Sequence, residues 1–517
     1  MDLRLTSSAL ALAAMLSPAL ADVTSEQVWQ SWVEYYQSMG YQVSEGGRER
    51  AGDTLTLKDV AIKGGAPESQ VSLALPQVTL TEDGAGKVRT VFADTVSGEA
   101  NGVDADGKSF RLPFVLSMPG NTTVTSGAAE DMTHEFDYPT IDVALSSITR
   151  DGKESPLPIK LSLAQSTGTL HRVAGAPAKY DYTMNTANAQ FSGDIPGEAG
   201  EQVKFDGKLA DIGLSGEMTI PTGAPIDQDM NAALKAGLAM TGTLKAGALD
   251  GSLDFAGQTE EGQPQTGAGT YSSKGFEISY TMSRDGLGYQ AGSDAAQFKM
   301  TASDMPFPIS YGFESGGFDL QMPVMAGDAA QPYKLAYALE GLTLGDEIWN
   351  QFDPQAKLPR DPASLDMDVT GSMKLTRDLF DPANLTPKEN ADPEAGQDAD
   401  ASADPAEPAP FELIDLALNQ FALKLLGAEV TASGRLQAPE GGDMTTPVGE
   451  INARYEGVNG LIDKLAGIGL IPEDQVMSAR MMLMMFAKPV KEGEDKLETR
   501  LEFKDGGSIF ANGQQIK

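Results

Sequence analysis

The sequence predicts a mainly β protein: a long twisted antiparallel sheet or sandwich that forms a groove, with an N-terminal helix and a C-terminal helix pair packed on it. Two observations carry this prediction. Apolar and polar residues alternate in many short segments, for example Val71–Leu75 and Ile141–Leu145, and strands that alternate bury one face only, which favours antiparallel pairing. Asp-Gly pairs such as Asp83-Gly84 and Asp250-Gly251 separate these segments and are strong hairpin signals.

The first long alternating segment contains an irregularity. Its apolar residues are Leu55 and Leu57 before Lys58-Asp59, and Val60 and Ile62 after it. The apolar set therefore changes from odd to even positions. Because a shift of one residue moves every later side chain to the other face of a strand, the slip at Lys58-Asp59 predicts a β-bulge or a register step.

A helix is predicted near the N-terminus. Thr24 and Gln27 have the spacing of a capping box, and Gly40 is a natural stop. Between them, apolar and aromatic residues recur at helical spacing: Val28, Trp29, Trp32 and Tyr36. The pattern favours a helix laid over the sheet with its aromatic face buried. A surface for a partner or a membrane is the alternative, although the helix carries no Lys or Arg before Gly40.

The C-terminal region predicts a helix pair, residues 459–468 and 472–487, joined by Gly469. The second helix carries a methionine stripe at helical spacing: Met477, Met481 and Met484, with Met485 adjacent. Core packing against the sheet is the favoured interpretation of this stripe. The alternatives are an adaptable apolar surface for a lipid or protein ligand and copper(I) binding through thioethers. Shorter helices are predicted within residues 227–238 and 346–352.

Composition divides the chain into four parts. Residues 1–21 read as a secretory signal, residues 22–385 as a β-rich body with the N-terminal helix, and residues 411–517 as strands plus the helix pair, continuous with the body. Residues 386–410 consist largely of Pro, Ala, Asp and Glu. A segment of that composition cannot bury enough apolar surface to offset its ordering entropy, so we expect a disordered acidic insertion.

The secretory signal is predicted from three features of its sequence. Arg4 supplies positive charge, Leu10–Leu16 is apolar, and Ser17–Ala21 offers an A-x-A cleavage site between Ala21 and Asp22. No later segment has 18 consecutive apolar residues, so a transmembrane span after signal removal is not predicted. A bacterial periplasm is the expected location.

The charge and the residue types exclude several function classes. Lys and Arg number 38 and Asp and Glu number 74, for a net charge of −36. Such a chain repels nucleic acid phosphates and is not held on anionic lipid by surface charge. There is no cysteine and there are only two histidines, His134 and His171, so neither a thiolate nor a histidine metal centre is expected, and no cofactor is predicted.

Motifs for catalysis are weak. Gly102–Ser109 matches the letters of a P-loop, but the strand-like segment Phe110–Phe114 follows where a phosphate-binding helix should begin. The G-x-S-x-G pattern is absent from the sequence. A triad through His134 or His171 and a carboxylate pair are not visible in sequence, and a carboxylate-based hydrolase is kept as a remote alternative to a protein without catalytic activity.

The chain resembles three known families. Leu497–Ile516 reads as a closing hairpin and resembles the ending of the YdgA-like envelope proteins, domain of unknown function 945. The whole chain resembles the bacterial periplasmic family of domain of unknown function 2125 through the signal, the Trp29/Trp32 helix, and Trp349–Pro354 followed by Leu358–Pro362. Leu423–Gly434 resembles strand pairs of AsmA-like proteins. That last resemblance implies a long sheet curled into an apolar groove that handles lipid.

Two main functions remain open on the sequence. One is a periplasmic envelope protein that binds an apolar ligand or lipid in a groove between the sheet and the Met-rich helix. The other is a structural or interaction protein with a filled core that docks an envelope protein partner. The candidate surfaces for either are the aromatic helix face and the methionine stripe: Trp29, Trp32, Tyr36, Met477, Met481, Met484 and Met485.

Overall fold

The computed structural model describes residues 22–66, 69–104, 107–197, 200–223, 226, 229–259, 262–385 and 410–517. The predicted signal segment, with Ala21 at its end, lies outside the described residues. The predicted acidic insertion also lies outside them, except for its last residue.

Helices and strands follow one another along the described chain in this order. The first part contains α1 (Ser25–Ser38), β1 (Gln42–Ser44), β2 (Gly47–Ala51), β3 (Thr54–Ala66), β4 (Ser69–Glu82), β5 (Val88–Phe92), β6 (Thr95–Val103), β7 (Ser109–Ser117), β8 (Thr122–Ala128), β9 (Asp131–Arg150), β10 (Lys153–Val173), β11 (Ala178–Pro196) and β12 (Gln202–Ile220).

The middle part contains α2 (Met230–Lys235), β13 (Ala239–Ala246), β14 (Leu249–Gln258), β15 (Pro264–Ser273), β16 (Phe276–Ser283), β17 (Gly286–Ala302), β18 (Ile309–Met322), β19 (Gln331–Leu344), α3 (Asp346–Phe352), β20 (Ala363–Leu375) and α4 (Pro382–Leu385). The last part contains β21 (Phe411–Leu425), β22 (Ala428–Gln437), β23 (Val448–Glu456), α5 (Val458–Gly467), α6 (Glu473–Phe486), β24 (Lys488–Pro489), β25 (Lys496–Lys504), β26 (Ser508–Ala511) and β27 (Gln514–Gln515).

The predicted fold class is confirmed. The strands of the described residues form one sheet of 27 strands, and all their pairings are antiparallel. The N-terminal helix begins at Ser25 behind a complete Thr24/Gln27 capping box, and α5 and α6 form the C-terminal pair. Leu375 at the end of β20 is paired with Phe411 at the start of β21, so the sheet continues across the acidic segment.

The sheet contains the same strand arrangement twice. The long strand β4 pairs with β5 along one half and with β6 along the other, and these pair with β8 and β7, which both pair with β9. The long strand β12 pairs in the same way with β13 and β14, then β16 and β15, then β17. The remaining long strands are joined as simple hairpins, so sequence neighbours are sheet neighbours nearly throughout.

A crease runs across the strands at the level of these half-strand breaks. Asp59 in β3, Gln165 in β10 and Asp211 in β12 have φ angles of 51°, 54° and 50°. The registers place Asp59 opposite Pro76, and Gln165 between Pro139 and Ala187. The change of face predicted at Lys58-Asp59 is present, and the crease repeats it in other strands. The β-bulge or register step expected there is wrong, because β3 and β4 keep one register on both sides of Asp59, with Lys58 opposite Gln77 and Val60 opposite Leu75. The positive φ angle of Asp59 changes the face instead.

The crease keeps apolar side chains on one side of the sheet. Leu55 and Leu57 lie on one side of the crease and Val60 and Ile62 on the other, yet all four pack into one buried cluster. Direct cross-strand partners share a face, and following the registers from β3 to β25 gives one mainly apolar face along the whole sheet. The opposite face is polar, as in the hydroxyl row formed by Thr183, Ser215, Thr243 and Ser279.

Glycines let aromatic rings lie against the backbone on the apolar face. A Cβ atom at Gly98 would lie 2.2 Å from the Phe114 ring, and one at Gly242 would lie 2.4 Å from the Tyr280 ring. Each glycine is the direct cross-strand partner of its aromatic residue. The rings therefore cover the glycine backbone, a pairing that compensates for the missing side chain.

Asp59 tests the crease directly. Asp tolerates the left-handed region, whereas a β-branched residue there is strained. We expect Asp59→Val to lower the free energy of unfolding by about 1–3 kcal/mol and Asp59→Gly to change it by less than about 0.5 kcal/mol. Urea denaturation followed by tryptophan fluorescence measures both, and equal losses in the two variants would contradict a backbone origin.

Candidate functional site

The centre of the apolar face is open to solvent. Its residues follow the registers from β11 to β23: Tyr182, Leu214, Leu244, Ile278, Tyr289, Phe318, Leu335, Val369, Leu418 and Ile451. Tyr280, Tyr289 and Tyr337 on this face are 38%, 37% and 38% exposed, and most of their neighbours are half-buried. A sheet face that packed against a second layer would be buried, so this face is a candidate binding surface.

Two groups of residues cover parts of this face. Helix α1 covers the strands from β3 to β9 with Val28 and Trp29 fully or nearly buried. Helix α2 covers the ends of β13, β16 and β17 with Leu234. Leu238, which follows the helix, and Val324 join the same buried cluster. These are the two buried apolar clusters of the described residues, and the face between and beyond them is half-exposed.

An apolar cavity of about 200 Å³ lies between α1 and the creased sheet. Its wall combines the helix with strands from both sides of the crease: Trp29, Trp32, Tyr36, Val60, Ile62, Leu73, Leu75, Phe92, Val96, Leu116, Met118 and Tyr138. No charged side chain lines it. Burial raises the pKa of the Tyr36 phenol to about 12, which shows how strongly the surroundings disfavour charge here.

Glu82 anchors the start of α1. The Glu82 carboxylate accepts hydrogen bonds from the backbone N–H of Ser25 at 2.9 Å and from its hydroxyl at 2.5 Å. Arg50 pairs with Glu82 at 3.0 Å and with Glu26 at 2.6 Å. The hydrogen bonds from Ser25 and the ion pair with Arg50 lower the pKa of Glu82 to about 2, so these contacts persist at neutral pH.

The body of α1 is held by two further polar contacts. Arg172 of β10, which is 7% exposed, donates to the Glu34 carboxylate at 2.5 Å. The indole N–H of Trp29 donates to Glu45 at 3.2 Å. The Arg172 contact fixes the second half of the helix over β10. Together with the Glu82 contacts it holds α1 over the strands from β3 to β9, which we call the covered end of the apolar face.

His134 lies buried beside this end. It is 2% exposed, its Nδ1 lies 2.8 Å from the Thr125 hydroxyl, and its ring lies 4.7 Å from the Trp32 ring. Burial, followed by the charge of Arg172, lowers the pKa of His134 to about 4. The imidazole is therefore neutral at pH 7 and is held by hydrogen bonding and ring packing.

His171 lies on the polar face and is half-exposed. Its Nε2 lies 2.7 Å from Asp131 and its Nδ1 lies 3.4 Å from Asp181. The Asp131 contact and the second carboxylate raise the pKa of His171. The two histidines thus lie on opposite faces of the sheet, and the structure does not bring them together. Within the described residues, no group of three His, Asp or Glu side chains is placed to hold a metal ion.

The methionines of α6 form an exposed surface. Met477, Met481, Met484 and Met485 are 71%, 61%, 66% and 62% exposed, whereas Val476 and Leu483 of the same helix are half-buried. The core-packing interpretation of the methionine stripe is therefore wrong. Helical spacing alone does not say which face of a helix meets the protein, and here the aliphatic residues do.

The structure places the sequence-based candidates in two separate locations. Trp29, Trp32 and Tyr36 face the sheet and line the cavity, which confirms a helix laid over the sheet. The methionines lie on the outside of the C-terminal helix pair. The residues of the central apolar face do not follow from the sequence alone. The sequence does show aromatic and aliphatic residues that alternate with other residues, as in Phe318–Leu320 and Tyr333–Tyr337. It does not show which strands pair, and the pairing is what joins these residues into one face.

The fold and the site define a mainly β protein built on a long creased antiparallel sheet with one open apolar face. A family model described as "Uncharacterized protein conserved in bacteria", domain of unknown function 2125, matches residues 251–510. The match covers half of the chain, which therefore belongs to this family. No curated protein and no solved structure shows a significant match. None of the helices described is long and apolar enough to cross a membrane.

His134 makes the stability of the covered end depend on pH. The unfolded histidine takes up a proton near pH 6.5, whereas the folded one does so near pH 4. Between these pH values the unfolded state binds more protons than the folded state, so the free energy of unfolding falls as the pH falls. The total loss between pH 6.5 and pH 4 is about 3 kcal/mol. Urea midpoints measured from pH 7.5 to 4 should show a shallower decline for His134→Gln than for the original chain. His171→Gln is the control, because the raised pKa of His171 stabilises the folded protein at low pH, so this variant should not show a shallower decline. Equal pH profiles for His134→Gln and the original chain would contradict the role given to His134.

Proposed function

We propose that this protein is a periplasmic envelope protein without catalytic activity that binds the hydrocarbon chain of a lipid or a similar ligand along its open apolar face. The observation that carries the proposal is the continuity of a half-exposed apolar face from β11 to β23. Monomeric proteins rarely expose contiguous apolar surface of this extent unless it meets a ligand, a membrane or a partner. The predicted signal ending at Ala21, before Asp22, supports the periplasmic location.

The length of the face suits a hydrocarbon chain. The pairings from β11 to β23 give ten inter-strand steps, and at about 4.8 Å per step the face is roughly 48 Å long. The hydrocarbon core of a whole bilayer is about 30 Å thick. An extended acyl chain therefore fits on the face with room to spare. The resemblance of Leu423–Gly434 to AsmA-like strand pairs points to the same class of ligand.

The charge of the chain restricts the head group. With a net charge of −36, the protein repels anionic head groups at low ionic strength, so the proposed ligand is neutral or zwitterionic. Its polar end remains in water, because the apolar face offers it few hydrogen-bond partners.

A protein partner at α6 is the second candidate function. The exposed methionine face is adaptable and apolar, which is typical of surfaces that bind other proteins. It lies on a helix pair whose other side packs on the sheet, so it is available without any rearrangement. This function and lipid binding use different surfaces and are separable by mutation.

A charge placed on the open face tests the first candidate. We expect Tyr289→Glu to lower the amount of bound apolar ligand by about tenfold or more, because ligand binding would bury an unpaired carboxylate. Thr281→Glu, which adds the same charge to an exposed residue on the polar face of the adjacent strand β16, is the matched control and should retain the ligand.

The measurement is native mass spectrometry with lipid extraction on mature protein purified from a periplasm. Stoichiometric adduct in the original chain and in Thr281→Glu, with loss in Tyr289→Glu, is the expected result. An adduct-free mass for the original chain, or equal retention in both variants, would overturn the proposal.

A photo-crosslinking residue at position 481 of α6 tests the second candidate. In living cells it should give one discrete protein adduct that disappears when Met485→Glu is added, because the added charge disrupts an apolar contact. The same crosslinker at Gln475, an exposed polar position of α6, should give none. Identical adducts from both positions would indicate random collision and would contradict a specific partner.

A further inference from the structure

We propose that the cavity beneath α1 receives the methyl end of the bound hydrocarbon chain, so that the ligand lies on the sheet with a fixed direction. The chain end is held under Trp29 and Trp32, and the head group lies toward the open centre of the face. This inference rests on the proposed function and adds to it a binding pocket, an orientation and the part of the ligand that is recognised.

The chemistry of the cavity wall selects a hydrocarbon end over a polar one. The wall is made of aromatic and aliphatic groups, among them Trp29, Tyr36, Val60, Val96 and Met118. The polar atoms of the wall residues are few: the indole N–H of Trp32, which has no hydrogen-bond partner among the described residues, and the hydroxyls of Tyr36 and Tyr138. A head group placed there would lose its hydrogen bonds to water and recover only a few, at a cost of several kcal/mol on transfer scales. A methyl end loses nothing and gains contacts with the wall.

The size of the cavity selects the end of a chain over a whole lipid. Its volume is about 200 Å³, larger than an apolar cavity of ~150 Å³ that takes up benzene. That space accommodates a short run of methylene groups and no more. The remainder of a lipid chain must therefore lie outside the cavity.

The wall of the cavity and the apolar face share strands. Leu116 of its wall is paired with Val143, which is paired with Leu161. Tyr138 of its wall is paired with Ser166 at the crease. A chain that leaves the cavity therefore reaches the apolar side chains of β9 and β10 without crossing to the polar face.

Helix α1 is fixed well enough to act as the closed end of the site. Its first turn is bonded to Glu82, and its later turn is bonded to Arg172. Tyr35 of α1 also packs against Tyr180 of β11, with ring centroids 5.3 Å apart. These contacts leave the helix in place over the cavity while the face beyond β11 stays open.

The positions of the three tryptophans allow a direct test. Trp29 and Trp32 line the cavity, whereas Trp349 lies in α3. In a Trp349→Phe background, fluorescence comes from the cavity wall alone. The probes are two uncharged monoacylglycerols, one with a 16-bromohexadecanoyl chain and one with a 2-bromohexadecanoyl chain, because bromine quenches indole at contact distance.

The terminal bromine is expected to quench tryptophan fluorescence at least about twofold more strongly than the bromine next to the head group. Native mass spectrometry of the same samples counts the bound probe. If both probes bind and quench equally, or if the 2-bromo probe quenches more, the orientation is overturned while lipid binding stands. If neither probe binds, the proposed function itself fails.

A filled cavity provides the second test. Val96 lines the cavity and is 1% exposed, whereas Val115 of β7 is 43% exposed and lies outside it. Val96→Phe should abolish the difference in quenching between the two probes, and Val115→Phe should leave it intact. The circular dichroism spectrum checks that both variants fold. If Val96→Phe does not fold, the comparison of the two bromine positions in the Trp349→Phe chain still tests the orientation. If Val96→Phe folds and the terminal bromine quenches as strongly as before, the proposal is overturned.

Discussion

Each long strand of this sheet must keep its apolar side chains on one face while it crosses the crease. Side chains of a strand point alternately to its two faces, so a long strand that bends keeps its apolar residues together only if the alternation shifts by one residue at the bend. Asp59, Gln165 and Asp211 supply that shift through backbone conformations with positive φ. Without it, the apolar residues of one half of each strand would face water.

The covered end of the sheet combines apolar burial with polar anchoring. Trp29 and Val28 bury apolar surface on the first strands, but burial alone does not fix where along the sheet a helix lies. The contacts of Glu82 and Arg172 supply that position, because they pair named groups at both ends of α1. His134 packs against Trp32 of α1 as a neutral group, so its protonation at low pH destabilises the covered end.

The sequence predicts the local elements well and their assembly poorly. Capping at Thr24, the stop at Gly40 and the alternation within each strand are local signals, and the structure agrees with them. The strand arrangement that occurs in both β4–β9 and β12–β17 depends on pairing between strands that are not adjacent in the sequence. The alternation of apolar and polar residues within a strand does not specify that pairing. The methionine stripe of α6 shows the same limit, because an apolar period describes a face and says nothing of what meets it. The cavity forms only where α1 meets strands from both sides of the crease. These contacts join residues that are far apart in the sequence, so no spacing pattern predicts them.

The contrast between the two ends of the apolar face argues for a ligand that enters from one side. A face covered at both ends and in the middle would be a core, and a face open throughout would bind without direction. Here α1 covers the start and α2 covers only strand ends. The residues of the apolar face between Tyr289 in β17 and Ile451 in β23, such as Phe318, Leu335 and Val369, remain half-exposed. An elongated ligand on such a surface makes apolar contacts along its whole length, but its position is fixed only at the covered end. In the proposed function, the bound hydrocarbon chain is therefore held at the covered end, and its other end remains accessible from the open face.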